Sequence, residues 1–174
     1  MMQPFFLNIC HLKKNYIMKK QLWMLLMPVL FCGCFKTGAS EDPCTNATPA
    51  SEESQLIAFC NSNGITPYVK DPSGIYYQVI EHGTGAPPTV NSTITYTYTA
   101  KYLNGTVLDQ ATTAVTNKLG ILIQGFQIML PNLAKGGRIK MVIPSSLCYG
   151  CNGVPGRVPP NTPIYFDLSL VDVI

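Results

Sequence analysis

Two cysteines three positions apart, in Cys148-Tyr149-Gly150-Cys151, are the first residues of this 174-residue chain whose spacing could do chemistry. Such a C-x-x-C pair serves disulfide exchange when it opens a helix inside a βαβ pattern. Here it lies in a loop after a strand, in YGCNGVPGRVPPNTP, where Gly and Pro recur every few residues and no helical period follows. Redox catalysis is therefore set aside in favour of a structural role for these cysteines. Asn46, Asn91 and Asn104 each begin an Asn-x-Ser/Thr triplet, but in Thr-rich turns such triplets arise by chance, and they are not read as glycan acceptors. The loop itself stays in question. It is stiff, turn-rich and joined directly to the alternating strand Ile164 to Leu170.

The elements that hold this loop follow from the hydrophobic periods. In SEESQLIAFCNSNG, Pro49 or Ser51 opens a short helix and Glu52 and Glu53 sit at its positive end. Leu56, Ile57 and Cys60 share a face, and Asn63-Gly64 stops it. Beyond Gly74 the period becomes two. GIYYQVIEHG reads as a strand, and the prolines of GTGAPP interrupt pairing. STITYTYTAKYL is the strongest strand, with Ile94, Tyr96, Tyr98 and Ala100 on one face and threonines on the other. Asn104-Gly105 turns it into TVLDQ. Residues 111–120 are polar and irregular and read as a loop. GFQIMLPNLAKGG has room for one short helix that Pro131 must end or distort. RIKMVIP and PIYFDLSLVDVI complete about five strands, mostly antiparallel, around one short helix: an α+β domain.

The formal net charge of +3 is local. Lys13, Lys14, Lys19 and Lys20 precede residue 21, and from Phe35 onward eight Lys/Arg face nine Asp/Glu. The folding segment has no basic field, which excludes nucleic acid as an expected partner. From Met18, MKKQLWMLLMPVLFCGC has the cationic, apolar and small-residue parts of a secretory signal, with an apolar run too short to span a membrane. Phe31-Cys32-Gly33-Cys34 resembles the lipobox of bacterial lipoproteins, which implies a lipid on Cys34, a membrane tether and a place in a bacterial cell envelope on the periplasmic or outer-membrane side. The expected organisation is a signal segment over 1–34, with 1–17 an upstream extension; a flexible tether over 35–50; the N-terminal helix and a linker over 51–73; and the folded domain over 74–174. Removing Cys10 and Cys32 and lipidating Cys34 leaves Cys44, Cys60, Cys148 and Cys151, an even set in an exported chain, for which disulfides are expected. Either Cys148 and Cys151 bridge locally, or one of them is stapled to Cys44 or Cys60.

Taken in order, Tyr98-Thr99, Asn104-Gly105-Thr106-Val107-Leu108-Asp109, Ile123-Gln124-Gly125-Phe126, Lys135-Gly136-Gly137, Ile143-Pro144, Tyr149-Gly150, Val158-Pro159-Pro160-Asn161 and Phe166-Asp167 resemble the FKBP-type peptidyl-prolyl isomerases, from about Gly74 to Ile174. The resemblance implies a curved antiparallel sheet wrapped around one short helix, with an apolar pocket between them and the Ser145–Thr162 loop as a flap over it. It also implies an isomerase of X-Pro bonds in exported proteins. The alternative is a non-catalytic peptide-binding or chaperone-like module on the same fold.

By the same resemblance Leu108, Leu122, Ile123, Phe126, Val154, Val158 and Phe166 line the pocket, with Phe126 as the floor under a proline ring. Tyr98, Asp109 and Tyr149 are the polar groups that orient or polarise the amide, helped by the Ile123 N–H. The chain departs from the family pattern in carrying Leu108 where Phe is usual, Phe126 where Trp is usual and Val154 where His is frequent. Rotation about an amide breaks no covalent bond, so no metal or other cofactor is expected. Charge and composition call for no oligomer, and a monomer is expected.

Overall fold

The computed structural model describes residues 44–174. The signal segment, Cys10, Cys32, the lipobox with Cys34 and the first part of the tether lie outside the described residues.

Helix α1 spans Pro49–Ser62. Thr48 caps it, its hydroxyl oxygen accepting from the Ser51 N–H at 3.2 Å, and Pro49 occupies the first turn, where the missing N–H costs nothing. Six strands follow: β1 (Val69–Lys70), β2 (Tyr76–Glu81), β3 (Thr93–Tyr102), β4 (Val107–Lys118), β5 (Arg138–Ile143) and β6 (Ile164–Val173). They form one antiparallel sheet in the order β1-β2-β5-β6-β3-β4. The sixth strand, beyond the expected five, is the two-residue β1, too short to show a period.

Helix α2 (Gln124–Met129) is brief, and a single 3₁₀ turn, Leu130–Asn132, follows it directly with Pro131, which lacks the N–H to continue the helix, at its centre. The sheet buries one face against α2. Ile139, Met141 and Ile143 of β5 and Ile164, Phe166, Leu168 and Leu170 of β6 alternate onto that face and pack with Phe126, Met129 and Leu130. The intervening Val142 and Tyr165, with Tyr76, face the other way and pack on Leu56, Phe59 and Cys60 of α1. The period of two thus serves two cores, one per face. Gly125 permits the close seat of α2 on β5, since a Cβ there would lie 2.6 Å from Ile143 Cγ2.

Two expectations need correction. Residues 111–118 are strand, the last two thirds of β4, and only 119–121 form a short 3₁₀ turn. The alternation fails there because β4 is an edge strand with a bulge: Tyr96 pairs with Val115 and Tyr98 with Ala111, so three residues stand opposite Thr97 alone. Residues 44–50, taken as the end of a flexible tether, are instead tied to the flap. Cys44 is disulfide-bonded to Cys151, and Asn46 Oδ1 accepts from the Cys151 N–H at 2.8 Å. Asn161 Oδ1 accepts from the Ala47 N–H at 2.9 Å, while its Nδ2 donates to the Thr45 carbonyl at 3.2 Å. Composition reveals none of this, because the partners lie more than a hundred residues away.

Of the two arrangements expected for the flap cysteines, the staple of Cys151 to Cys44 forms and the local bridge to Cys148 does not, and among the described residues Cys60 and Cys148 have no disulfide partner. Cys60 is fully buried in the α1 core, where desolvation pushes its thiol up to about 11. Burial likewise raises the Cys148 thiol, with the Glu52 charge adding to it, so neither is a ready thiolate at neutral pH.

Candidate functional site

The strands, α2 and the flap converge on a cavity of about 210 Å³. Strand β3 supplies Tyr96, Tyr98 and Ala100 from its inward face, and β6 supplies Phe166, paired in register with Ala100. Leu108 and Asp109 enter from the start of β4, just after the Asn104-Gly105 turn. Leu122 and Ile123 precede α2, and Phe126 lies in its first turn. The flap closes the top with Tyr149, Val154, Arg157 and Val158.

The cavity has an aromatic floor. Phe126 and Phe166 are each 4% exposed and meet edge to face, with centroids 4.8 Å apart at 77°. Tyr96 stands edge-on to Phe126 at 6.2 Å, and Tyr98 lies 6.4 Å from Phe166. The two edge-to-face pairs on Phe126 have a preferred geometry of aromatic pairs, each worth about 0.5–1.5 kcal/mol beyond area burial. They hold the ring of Phe126 in a fixed attitude beneath the opening.

The polar groups lie along one wall. The Tyr98 hydroxyl donates to Asp109 Oδ2 at 2.8 Å, Asp109 Oδ1 accepts from the Gln110 N–H at 2.9 Å, and Arg157 Nη2 approaches Asp109 Oδ2 at 3.4 Å. Burial, and next its hydrogen bond to Asp109, push the Tyr98 hydroxyl up to about 12, so it stays a neutral donor throughout the physiological range. Burial also raises the Tyr149 phenol. The Ile123 carbonyl accepts from Phe126 and Gln127, which turns the chain into α2, while its N–H makes no hydrogen bond to the described residues. The site therefore offers an apolar floor, neutral hydroxyls, one unspent backbone donor and one carboxylate.

All ten residues that the family resemblance placed here line this one cavity: Tyr98, Leu108, Asp109, Leu122, Ile123, Phe126, Tyr149, Val154, Val158 and Phe166. Three lining residues were missed. Tyr96 and Ala100 share the inward face with Tyr98, so the period of two carried their signal. Arg157 had none, being a cation inside a Gly/Pro turn whose direction no sequence period sets.

Alkaline pH should expose the buried phenols. Tyr98 and Tyr165 are both pushed up to about 12, against an ordinary value near 10. Above pH 10 the unfolded chain loses these protons before the folded one does, so it binds fewer protons and stability falls with rising pH. Urea unfolding should therefore show the tyrosine contribution intact below pH 10 and lost progressively between pH 10 and 12. Tyr98→Phe should flatten that decline; an unchanged slope would mean that Tyr98 titrates normally.

An antiparallel sheet with the short α2 on one face and α1 on the other, an aromatic pocket between α2 and the sheet and a Pro/Gly flap above it, defines a class of small α+β domains. The family model described as FKBP-type peptidyl-prolyl cis-trans isomerase matches residues 85–171, half of the chain, and the chain belongs to that family. It is 39% identical over 104 residues to the FKBP-type peptidyl-prolyl cis-trans isomerase FkpA of Escherichia coli strain K12, covering 58% of this chain and 38% of that protein. It is 33% identical over 120 residues to the outer membrane protein MIP of Legionella longbeachae, covering 67% of this chain and 52% of the relative. The crystal structure of FkpA from Escherichia coli superposes with a TM-score of 0.63 at 32% identity, over 72% of this chain and 60% of that one. The chain thus spans between about two fifths and about half the length of these two relatives.

Proposed function

We propose that this chain is a peptidyl-prolyl cis-trans isomerase acting on X-Pro bonds of exported proteins, held at a bacterial envelope membrane by lipid on Cys34. One observation carries the reading: an apolar cavity floored by Phe126 and Phe166, with a single hydroxyl–carboxylate pair, Tyr98 and Asp109, on its wall. The envelope location rests on the cationic and apolar N-terminal signal and on Cys34 in its lipobox.

The chemistry needs only rotation about one bond. Amide resonance sets a barrier of about 18–20 kcal/mol, and the planar ground state owes part of its stability to a charge-separated carbonyl that water solvates. The twisted state has lost much of that charge separation. Moving the proline ring onto Phe126, out of water, withdraws solvation from the planar form more than from the twisted one. The Ile123 N–H and the Tyr149 hydroxyl hold the flanking carbonyls, which fixes one half of the peptide while the other turns. Tyr98, whose one hydroxyl proton goes to Asp109, holds that carboxylate's charge in place beside the rotating amide. Each role uses a group already oriented by the fold, so little ordering is left to the binding event.

The test is acceleration of cis-to-trans conversion in short X-Pro peptides by residues 44–174 in oxidising buffer. Asp109→Ala should lower kcat/KM by about tenfold or more, since it releases the Tyr98 hydroxyl and removes the wall charge, an electrostatic contribution on the order of 1.4 kcal/mol or above. Tyr98→Phe should lose less, because the ring stays. A folded, oxidised domain that binds peptides without accelerating them would replace this reading with a peptide-docking module.

A further inference from the structure

The flap holds a cation at the rim of the pocket with most of its hydrogen-bonding capacity unspent. Val154-Pro155-Gly156-Arg157 is a tight turn: the Arg157 N–H donates to the Val154 carbonyl at 2.9 Å, and Gly156, after Pro155, has φ +72°, the pattern of a type II turn. Val154 and Val158 exchange backbone hydrogen bonds at 2.8 Å, and the Tyr102 hydroxyl of β3 donates to the Arg157 carbonyl. The Arg157 backbone is therefore fixed from both sides, while its side chain remains 61% exposed.

Asp109 and Arg157 are the charged residues of the cavity wall, and their capacities differ. Both carboxylate oxygens of Asp109 are engaged, Oδ1 by the Gln110 N–H and Oδ2 by the Tyr98 hydroxyl at 2.8 Å. The guanidinium has five N–H donors and, among the described residues, makes one side-chain contact, at 3.4 Å, well beyond the roughly 2.7–2.9 Å of a strong charged hydrogen bond. Free capacity at the rim thus lies with the cation, and a planar guanidinium matches a carboxylate with two parallel bonds.

We infer that Arg157 is a specificity-determining residue that binds the carboxylate of an Asp or Glu flanking the X-Pro bond, so that acidic client segments are preferred over basic ones. The inference rests on the pocket being a peptide site, as proposed above. Asp109 takes only one long contact from Arg157, at 3.4 Å, because Tyr98 keeps it on the wall, and the rest of the guanidinium is left for a peptide carboxylate. The preference is short-ranged, because Asp109 and Arg157 together leave the rim close to neutral.

The experiment uses Leu-Pro-Phe peptides with Glu, Gln or Lys placed in turn at the two positions on either side. Both isomerisation rate and direct binding are measured, for the wild type, Arg157→Gln and Arg157→Glu. At one or more positions the wild type should favour Glu over Lys by about two- to fivefold, the scale of an exposed ion pair, and roughly 0.5 M salt should shrink the ratio. Arg157→Gln should flatten the ratio and Arg157→Glu should reverse it. Because each ratio is taken within one variant, a general loss of activity does not affect it. A wild type that is indifferent at every position, or a Glu preference that survives Arg157→Gln, overturns the inference. If no peptide is accelerated yet binding shows the Arg157-dependent preference, the isomerase reading fails and this one stands. If peptides are neither bound nor accelerated, both fail.

Discussion

Replacing Phe126 with alanine should lower stability by about 3–5 kcal/mol, the usual cost of deleting a buried aromatic side chain, and abolish measurable isomerisation. Its ring sits at the junction of α2, β3 and β6, 4% exposed and in edge contact with both Phe166 and Tyr96, so the void cannot be filled without moving two other rings. With total stabilities of about 5–15 kcal/mol for domains in general, that variant stands near the limit of folding. Phe126→Leu separates the two effects. It keeps an apolar side chain of moderate size and should cost about 1.5 kcal/mol or less in urea unfolding, while removing the flat surface on which a proline ring rests. A folded Phe126→Leu protein with kcat/KM down about tenfold, or about 1.4 kcal/mol in the barrier, is the expected result. Undiminished activity in that variant would mean that the floor acts only as core.

How far the fold was legible follows the range of the interactions that decide each part. Strands β3, β5 and β6 each bury one face under α2, so Ile94, Tyr96, Tyr98 and Ala100, and again Ile164, Phe166, Leu168 and Leu170, declare themselves by alternation. Helix α2 was legible because Pro131 limits it and glycines bracket it. The last two thirds of β4 were not, since an edge strand with a bulge at 112–114 has no continuous inward face to write into the sequence. The pocket residues were legible through family order, which reflects spacing along the chain. Arg157 was not, because its place depends on a turn folded back over the pocket. The ties between residues 44–47 and the flap were least legible of all, resting on contacts separated by 105 to 116 positions.

Those ties set the second large effect. Cys44 and Cys151 enclose a separation of 107 residues, and in the chain-entropy view a loop of about that length loses about 4.7 kcal/mol of unfolded-state freedom when closed; measured effects more often fall at about 2–4 kcal/mol. The double variant Cys44→Ser/Cys151→Ser should therefore lower the urea midpoint by that range. Its m-value should rise, because the unfolded chain expands once the cross-link is gone. The consequence reaches the pocket, since Tyr149 lies two residues from Cys151 on the same flap, and α1 holds the flap's root where Glu52 Oε2 accepts from the Ser145 N–H at 2.9 Å. Without the disulfide the flap keeps the Asn46, Asn161 and Glu52 contacts but loses the covalent one, so it spends less time in its closed arrangement. If the competent fraction falls to about one in five, peptide affinity weakens about fivefold, with Phe126, Tyr98 and Asp109 untouched. Reduction of the wild type should reproduce both changes and reoxidation reverse them. A double variant with an unchanged midpoint would assign the attachment of residues 44–50 to the hydrogen bonds alone. A lowered midpoint with undisturbed peptide affinity would show that the flap's order does not need the covalent tie and is set by Pro155, Pro159 and Pro160 together with the remaining hydrogen bonds.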